Sequence, residues 1–166
     1  ETDHSWIQGS LKYDNFLLAW KGLHMGYSFH AAASTMPFFN NYTVSTFNAP
    51  AYEPILEMRT LFLPEFHAHT FLGAGIKNVI RLRNNLDLRA EGYVFQPYLE
   101  MVRNPDNTTS YGAPLSKRYF LASSGLVLHS PIGPISFQVN YYDQRRNPLS
   151  VLFTAGFLLF NRSALE

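Results

Sequence analysis

Ile135-Ser136-Phe137-Gln138-Val139-Asn140-Tyr141-Tyr142, behind the turn Ser130-Pro131-Ile132-Gly133-Pro134, alternates large apolar residues with polar ones. Successive side chains of a strand point to opposite faces, so this segment has one face of Ile135, Phe137, Val139 and Tyr141 and another of Ser136, Gln138, Asn140 and Tyr142. A soluble sheet can do the same. The recurrence of the pattern in strand after strand, with charged residues on the polar face, points to a barrel with lipid outside and water inside.

Working outward, a strand over 149–161 would place Val151, Phe153, Ala155, Phe157 and Leu159 on one face, and Ser150, Thr154 and Gly156 on the other. Over 118–129, Phe120, Ala122, Leu126 and Leu128 would meet lipid, while Ser123, Gly125 and His129 face inward. The stretch 86–98 is the most diagnostic, because Leu86, Leu88, Ala90 and Val94 alternate with Asp87, Arg89, Glu91 and Tyr93. Over 70–82, Leu72, Ala74, Ile76, Ile80 and Leu82 oppose Gly73, Gly75, Lys77 and Arg81. The turn Arg83-Asn84-Asn85 brings Lys77 and Arg81 within reach of Asp87 and Glu91. A further strand at 20–34 sets His24 and His30 on the inner face, and weaker candidates lie at 42–48 and between 5 and 18, with 1–19 undefined.

Composition agrees with this reading. Charged residues make up 15% of the chain and aromatic residues 16%; the charged share is below the ~25% usual in soluble domains. The 166 residues suffice for one domain with a core, or for roughly eight crossing strands of ~10 residues. Mean hydropathy is slightly negative, and no apolar run approaches the ~20 residues of a spanning helix. A net charge of +1 with dispersed basic residues argues against nucleic acid as a partner. Absence of cysteine removes thiolate and disulfide chemistry. The start Glu1-Thr2-Asp3-His4 has no signal core, as expected of a mature product or an excised piece.

Links at 130–134, 83–85 and 35–41 read as short, and those at 49–69 and 99–117 as long, with 143–148 intermediate. Alternation of tight periplasmic turns with long extracellular loops is an outer-membrane-barrel pattern. Aromatic girdles are expected from Phe95, Tyr98, Tyr111, Tyr119 and Phe120 at the outer rim, and from Trp6, Tyr13, Trp20, Phe38 and Phe39 at other ends.

The segment His129-Ser-Pro-Ile-Gly-Pro-Ile135 and the ending Phe153-Thr-Ala-Gly-Phe-Leu-Leu-Phe160 resemble the C-terminal end of the BamA superfamily (bacterial surface antigen) of outer-membrane barrels. Ser116-Lys117-Arg118-Tyr119-Phe120, Asn85 to Tyr98 and Pro134 to Tyr142 are similar to the barrel that follows Bacteroidetes-type patatin-like phospholipase domains. The likeness covers about residues 66–162, and the first third only loosely. It implies an all-β, antiparallel transmembrane barrel of roughly sixteen strands, of which this chain supplies about the last seven or eight. It also implies a Gram-negative outer-membrane location and, as partners, outer-membrane lipid, the assembly machinery, and the remaining strands or another chain. Ser130, Pro131, Gly133 and Pro134 become a periplasmic turn, and Thr154, Gly156 and Leu159 an insertion-signal-like ending, with Asn161 where the family has an aromatic residue. The family's barrel-plugging loop carries an Arg-Gly-aromatic motif that 49–69 lacks, having only Arg59, so a translocation or assembly role does not carry over.

The chain has neither the Gly-x-Ser-x-Gly turn nor the glycine-rich oxyanion segment of a patatin-type hydrolase. Ser123-Ser124-Gly125 lies inside a strand pattern, so no catalytic residue, cofactor or metal site is assigned. His67 and His69 have a spacing open to two metal ligands but lack an assignable third. Lys77, Arg81, Asp87, Arg89 and Glu91 form the expected lumen-facing polar network, either lining a selective path or balancing charge. The sequence reads as the outer-membrane anchor or translocator domain of a patatin-like phospholipase whose hydrolase domain is not in this chain. A self-contained eight-stranded lipid-modifying enzyme, a BamA-like assembly factor and a soluble lipocalin-like carrier are the alternatives.

Overall fold

The computed structural model describes residues 5–131, 133–143 and 147–156. The strands are β1 (Gln8–Trp20), β2 (Leu23–Ser34), β3 (Thr70–Arg83), β4 (Leu86–Pro97), β5 (Leu99–Arg103), β6 (Thr109–Pro114), β7 (Tyr119–Ser130), β8 (Gly133–Tyr142) and β9 (Leu149–Ala155). Seven of them form one sheet in the order β1-β2-β3-β4-β7-β8-β9, while β5 and β6 form a separate hairpin. Every neighbouring pair is antiparallel. The fold is therefore all-β with an antiparallel sheet, and among the described residues it is open, with β1 and β9 as its edges.

Three connections at one end of the sheet are two-residue turns. Lys21 and Gly22 join β1 to β2 with φ of 41° and 88°, the paired positive values that match the right-handed twist of a hairpin. Arg83 pairs with Leu86 across the second turn, and Ser130 with Gly133 across the third. Gly133 has φ 117°, and its carbonyl accepts from Ser130 Oγ at 2.6 Å. The opposite end carries the connections 35–69, 98–118 and 143–148.

Two segments differ from the sequence expectation. Residues Tyr42–Asn48 form a helix, α1, and not a strand. Asn41 caps it by accepting from Thr43 N at 2.8 Å, and seven residues are too few for periodicity to outweigh a good N-cap. The supposed short link 35–41 consequently merges with 42–69 into one long connection. The polar stretch 104–109 is a hairpin turn, in which Asn107 has φ 66° and Asp106 accepts from Thr108 N and Oγ1. The indistinct candidate between 5 and 18 is the full-length strand β1.

Cross-strand register fixes which side chains share a face. Leu72, Ile76, Phe120, Phe137, Val151 and Phe153 are all exposed, between 50 and 65%. On the opposite face the connection 35–69 packs against the sheet and builds the core. Tyr52, Ile55, Met58, Leu63 and Phe66 from the connection meet Phe71, Tyr93, Phe95, Tyr119, Leu121 and Tyr142 from the strands. The face that carries the charges is thus aromatic and covered toward the long loops, and ionic toward the tight turns.

Candidate functional site

The covered face is built around two ring contacts made possible by missing side chains. A Cβ at Gly73 would lie 2.2 Å from the Tyr52 ring, and one at Gly75 2.1 Å from the Tyr93 ring. Glycine lets each ring lie directly on strand backbone. Tyr52 stacks on Phe95 with centroids 5.5 Å apart and donates to the Ala74 carbonyl at 3.3 Å. Phe66 packs edge-on against Tyr119 at 5.7 Å. Two 3-10 turns, Leu56–Arg59 and Pro64–Phe66, shape the connection. A bridge between Ala51 and His67 closes the loop on itself, with Tyr52 N donating to Phe66 O at 2.9 Å.

Glu57 fastens this segment to the far side of the sheet. Its carboxylate accepts from Asn140 Nδ2 at 2.7 Å, from Tyr142 OH at 2.8 Å and from Ser150 Oγ. Asn140 Oδ1 in turn accepts from Ser123 Oγ at 2.7 Å. Asn140 and Tyr142 are completely buried. A charge-assisted network of this kind links β7, β8 and β9 to the connection through a single carboxylate. Only an isolated acid in the apolar run Ile55-Leu56-Glu57-Met58 signals it in the sequence.

Toward the tight turns, register places Lys77 opposite Glu91 and Arg81 opposite Asp87, with Arg89 opposite Val79 and Gly125. The five expected network residues therefore share one face. Arg81 faces Asp87 as the spacing suggested, whereas Lys77 and Glu91 have other closest partners. Lys77 pairs with Asp14 of β1, and Glu91 accepts from Tyr93 OH at 2.7 Å. Asp87 lies 3.9 Å from Arg81 Nε and 2.9 Å from His129 Nε2. Ser123, from the nearest hydrolase-like triplet, sits mid-strand within the Glu57 network. Thr154 is opposite Ser136 on the covered face, and Gly156 N donates to the Pro134 carbonyl at 3.3 Å. Ile132, Phe157, Leu159 and Asn161 lie outside the described residues.

The aromatic residues expected in the girdles divide between the two faces. Tyr98, Tyr111, Phe120, Trp6, Tyr13, Trp20 and Phe39 are exposed, but Phe95 and Tyr119 turn inward and are buried. They share the parity of Tyr93, and the covering segment supplies the apolar surroundings that lipid was expected to provide. Tyr119 OH donates to Glu100 Oε1 at 2.7 Å.

His67 and His69 go to different partners. His67 Nδ1 is 2.9 Å from the Leu63 carbonyl, while His69 Nδ1 is 2.7 Å from Tyr111 OH and its ring stacks on Phe38. Burial holds both imidazoles below the usual histidine value, although the Leu63 carbonyl, Glu53 and Glu65 partly offset this at His67. The unfolded chain takes up these protons near pH 6.5, so the stabilisation is complete above that pH and lost as pH falls below it. Acidification through this range is expected to speed proteolysis of 49–69, and His69→Phe is expected to flatten the profile; an unchanged profile in that variant counts against the assignment.

No family model, curated protein or solved structure matches this chain.

Proposed function

We propose that this chain is a membrane-embedded segment of a Gram-negative outer-membrane β-barrel, anchoring a patatin-like phospholipase whose hydrolase domain lies elsewhere. The observation that carries the membrane reading is the exposed apolar face, continuous over the sheet, opposite a face of mixed charge. Water gives no reason to expose Ile76, Phe120, Phe137 and Phe153 on one face, whereas acyl chains do. A lipocalin-like carrier needs the reverse orientation.

Partner strands follow from topology. Six antiparallel steps separate β1 from β9, so the two edges run in the same direction. Antiparallel closure then takes an odd number of further strands, supplied by the rest of the polypeptide or another chain. Hydrocarbon does not satisfy backbone donors on an open edge, so closure is required for insertion. The segment 35–69, packed across the inner face, favours an anchor over an open conduit.

The lipase assignment rests on the resemblance described above. An antibody against the β5–β6 hairpin tests both parts. It is expected to label an outer-membrane polypeptide that extracts only with detergent, migrates differently before and after boiling, and carries phospholipase activity. Label in the detergent-free soluble fraction overturns the membrane reading; membrane label without phospholipase activity overturns the lipase assignment alone.

A further inference from the structure

The exposed face has two depressions that the protein leaves unfilled. One, of about 580 Å3, is lined by Gly9, Leu11, Ala31, Ala33, Leu72 and Tyr98, with Gln96 at its border. The other, of about 550 Å3, is lined by Ala74, Ile76, Gly92, Val94, Phe120 and Ala122. Small residues set between large ones create both. A Cβ at Gly9 would meet nothing within 4 Å, and one at Gly92 only Ile76 Cγ1 at 4.0 Å.

Among the described residues, Arg118 stands at the long-loop rim near both depressions. Arg118 precedes β7 and is exposed. Its Nε donates to Gln96 Oε1 at 3.0 Å, which fixes the guanidinium beside the first depression. Phe120, two residues along the same strand, borders the second. Lys117 is engaged by Glu100 at 2.9 Å, and Asp143 accepts from Phe120 N at 3.4 Å. A guanidinium has further donors in a planar fork suited to phosphate oxygens.

We infer that this face seats an anionic phosphorylated lipid of the bilayer with at least two acyl chains, its phosphate, not neutralised by a headgroup cation, at Arg118 and its chains in the two depressions. The inference rests on the membrane reading and names the lipid class. Charge complementarity at the rim and apolar grooves running from it select this occupant over a protein partner.

The test uses the chain together with the strands that close its sheet, inserted into phosphatidylcholine nanodiscs doped with phosphatidic acid, with protease protection of the strands scored first. Lipids retained after detergent extraction are counted by native mass spectrometry. Phosphatidic acid should be enriched about fivefold over phosphatidylcholine, the preference one surface cation supplies. Arg118→Gln should abolish the enrichment, and Gly92→Leu should reduce retention of both lipids while leaving protease protection intact. Soluble glycerol phosphate, which has the headgroup without chains, should not compete. Equal retention of the two lipids, enrichment that survives Arg118→Gln, retention unchanged in Gly92→Leu, or competition by glycerol phosphate overturns the inference while the membrane reading stands. If the strands stay open to protease with the closing strands present, both readings are overturned.

Discussion

Phe137→Arg is expected to abolish or sharply reduce insertion, because an arginine on the lipid face of a barrel costs about 2–4 kcal/mol near the bilayer midplane. Phe137 is half exposed, and its cross-strand partners are Leu126 and Phe153, both exposed, so no polar neighbour receives the guanidinium. Gln138→Arg, one residue along, points to the opposite face and is expected to be nearly neutral. The contrast between adjacent positions isolates orientation from strand propensity, since both variants place the same residue in β8. Folding of the protein with its closing strands into detergent micelles or vesicles, read by the heat-dependent gel shift, measures it. Similar yields for the two variants would mean that water reaches both faces.

Glu57→Ala is expected to release the covering segment from the sheet. It removes the acceptor for Asn140 Nδ2, Tyr142 OH and Ser150 Oγ, two of them on completely buried residues. A buried donor that loses its acceptor costs up to about 1–3 kcal/mol, so removing an acceptor shared by several donors exceeds what an exposed salt bridge contributes. Trypsin cleavage after the exposed Arg59 should accelerate, and hydrogen exchange should rise across 49–69 while β3 and β4 stay protected. Glu57→Gln keeps one carbonyl acceptor and should fall between. If Glu57→Ala leaves cleavage at Arg59 unchanged, aromatic packing of Tyr52 and Phe66 alone holds the segment, and the carboxylate network is incidental.

The two halves of the covered face were unequally legible. Lys77, Arg81, Asp87, Arg89 and Glu91 were readable because charge in strict alternation with aliphatic residues fixes a shared face without knowledge of register. The partner of Lys77 was not, because Asp14 lies on a strand whose pattern is blurred by the irregularity between Phe16 and Leu18. Phe95 and Tyr119 were misplaced for a related reason. An aromatic residue near a strand end suits an interfacial girdle and a buried core equally well, and parity decides between them only once the covering segment is seen.

Alternation and the tight-turn residues therefore determined, from sequence alone, an antiparallel all-β chain with one apolar face, since both are local properties of backbone geometry. Only the tertiary structure decided that 35–69 folds back across the sheet, that Glu57 reaches Asn140, Tyr142 and Ser150, and that α1 replaces a strand. Those contacts join residues as much as 93 positions apart, and pairing at such distance is set by chain topology and packing, which no local pattern encodes.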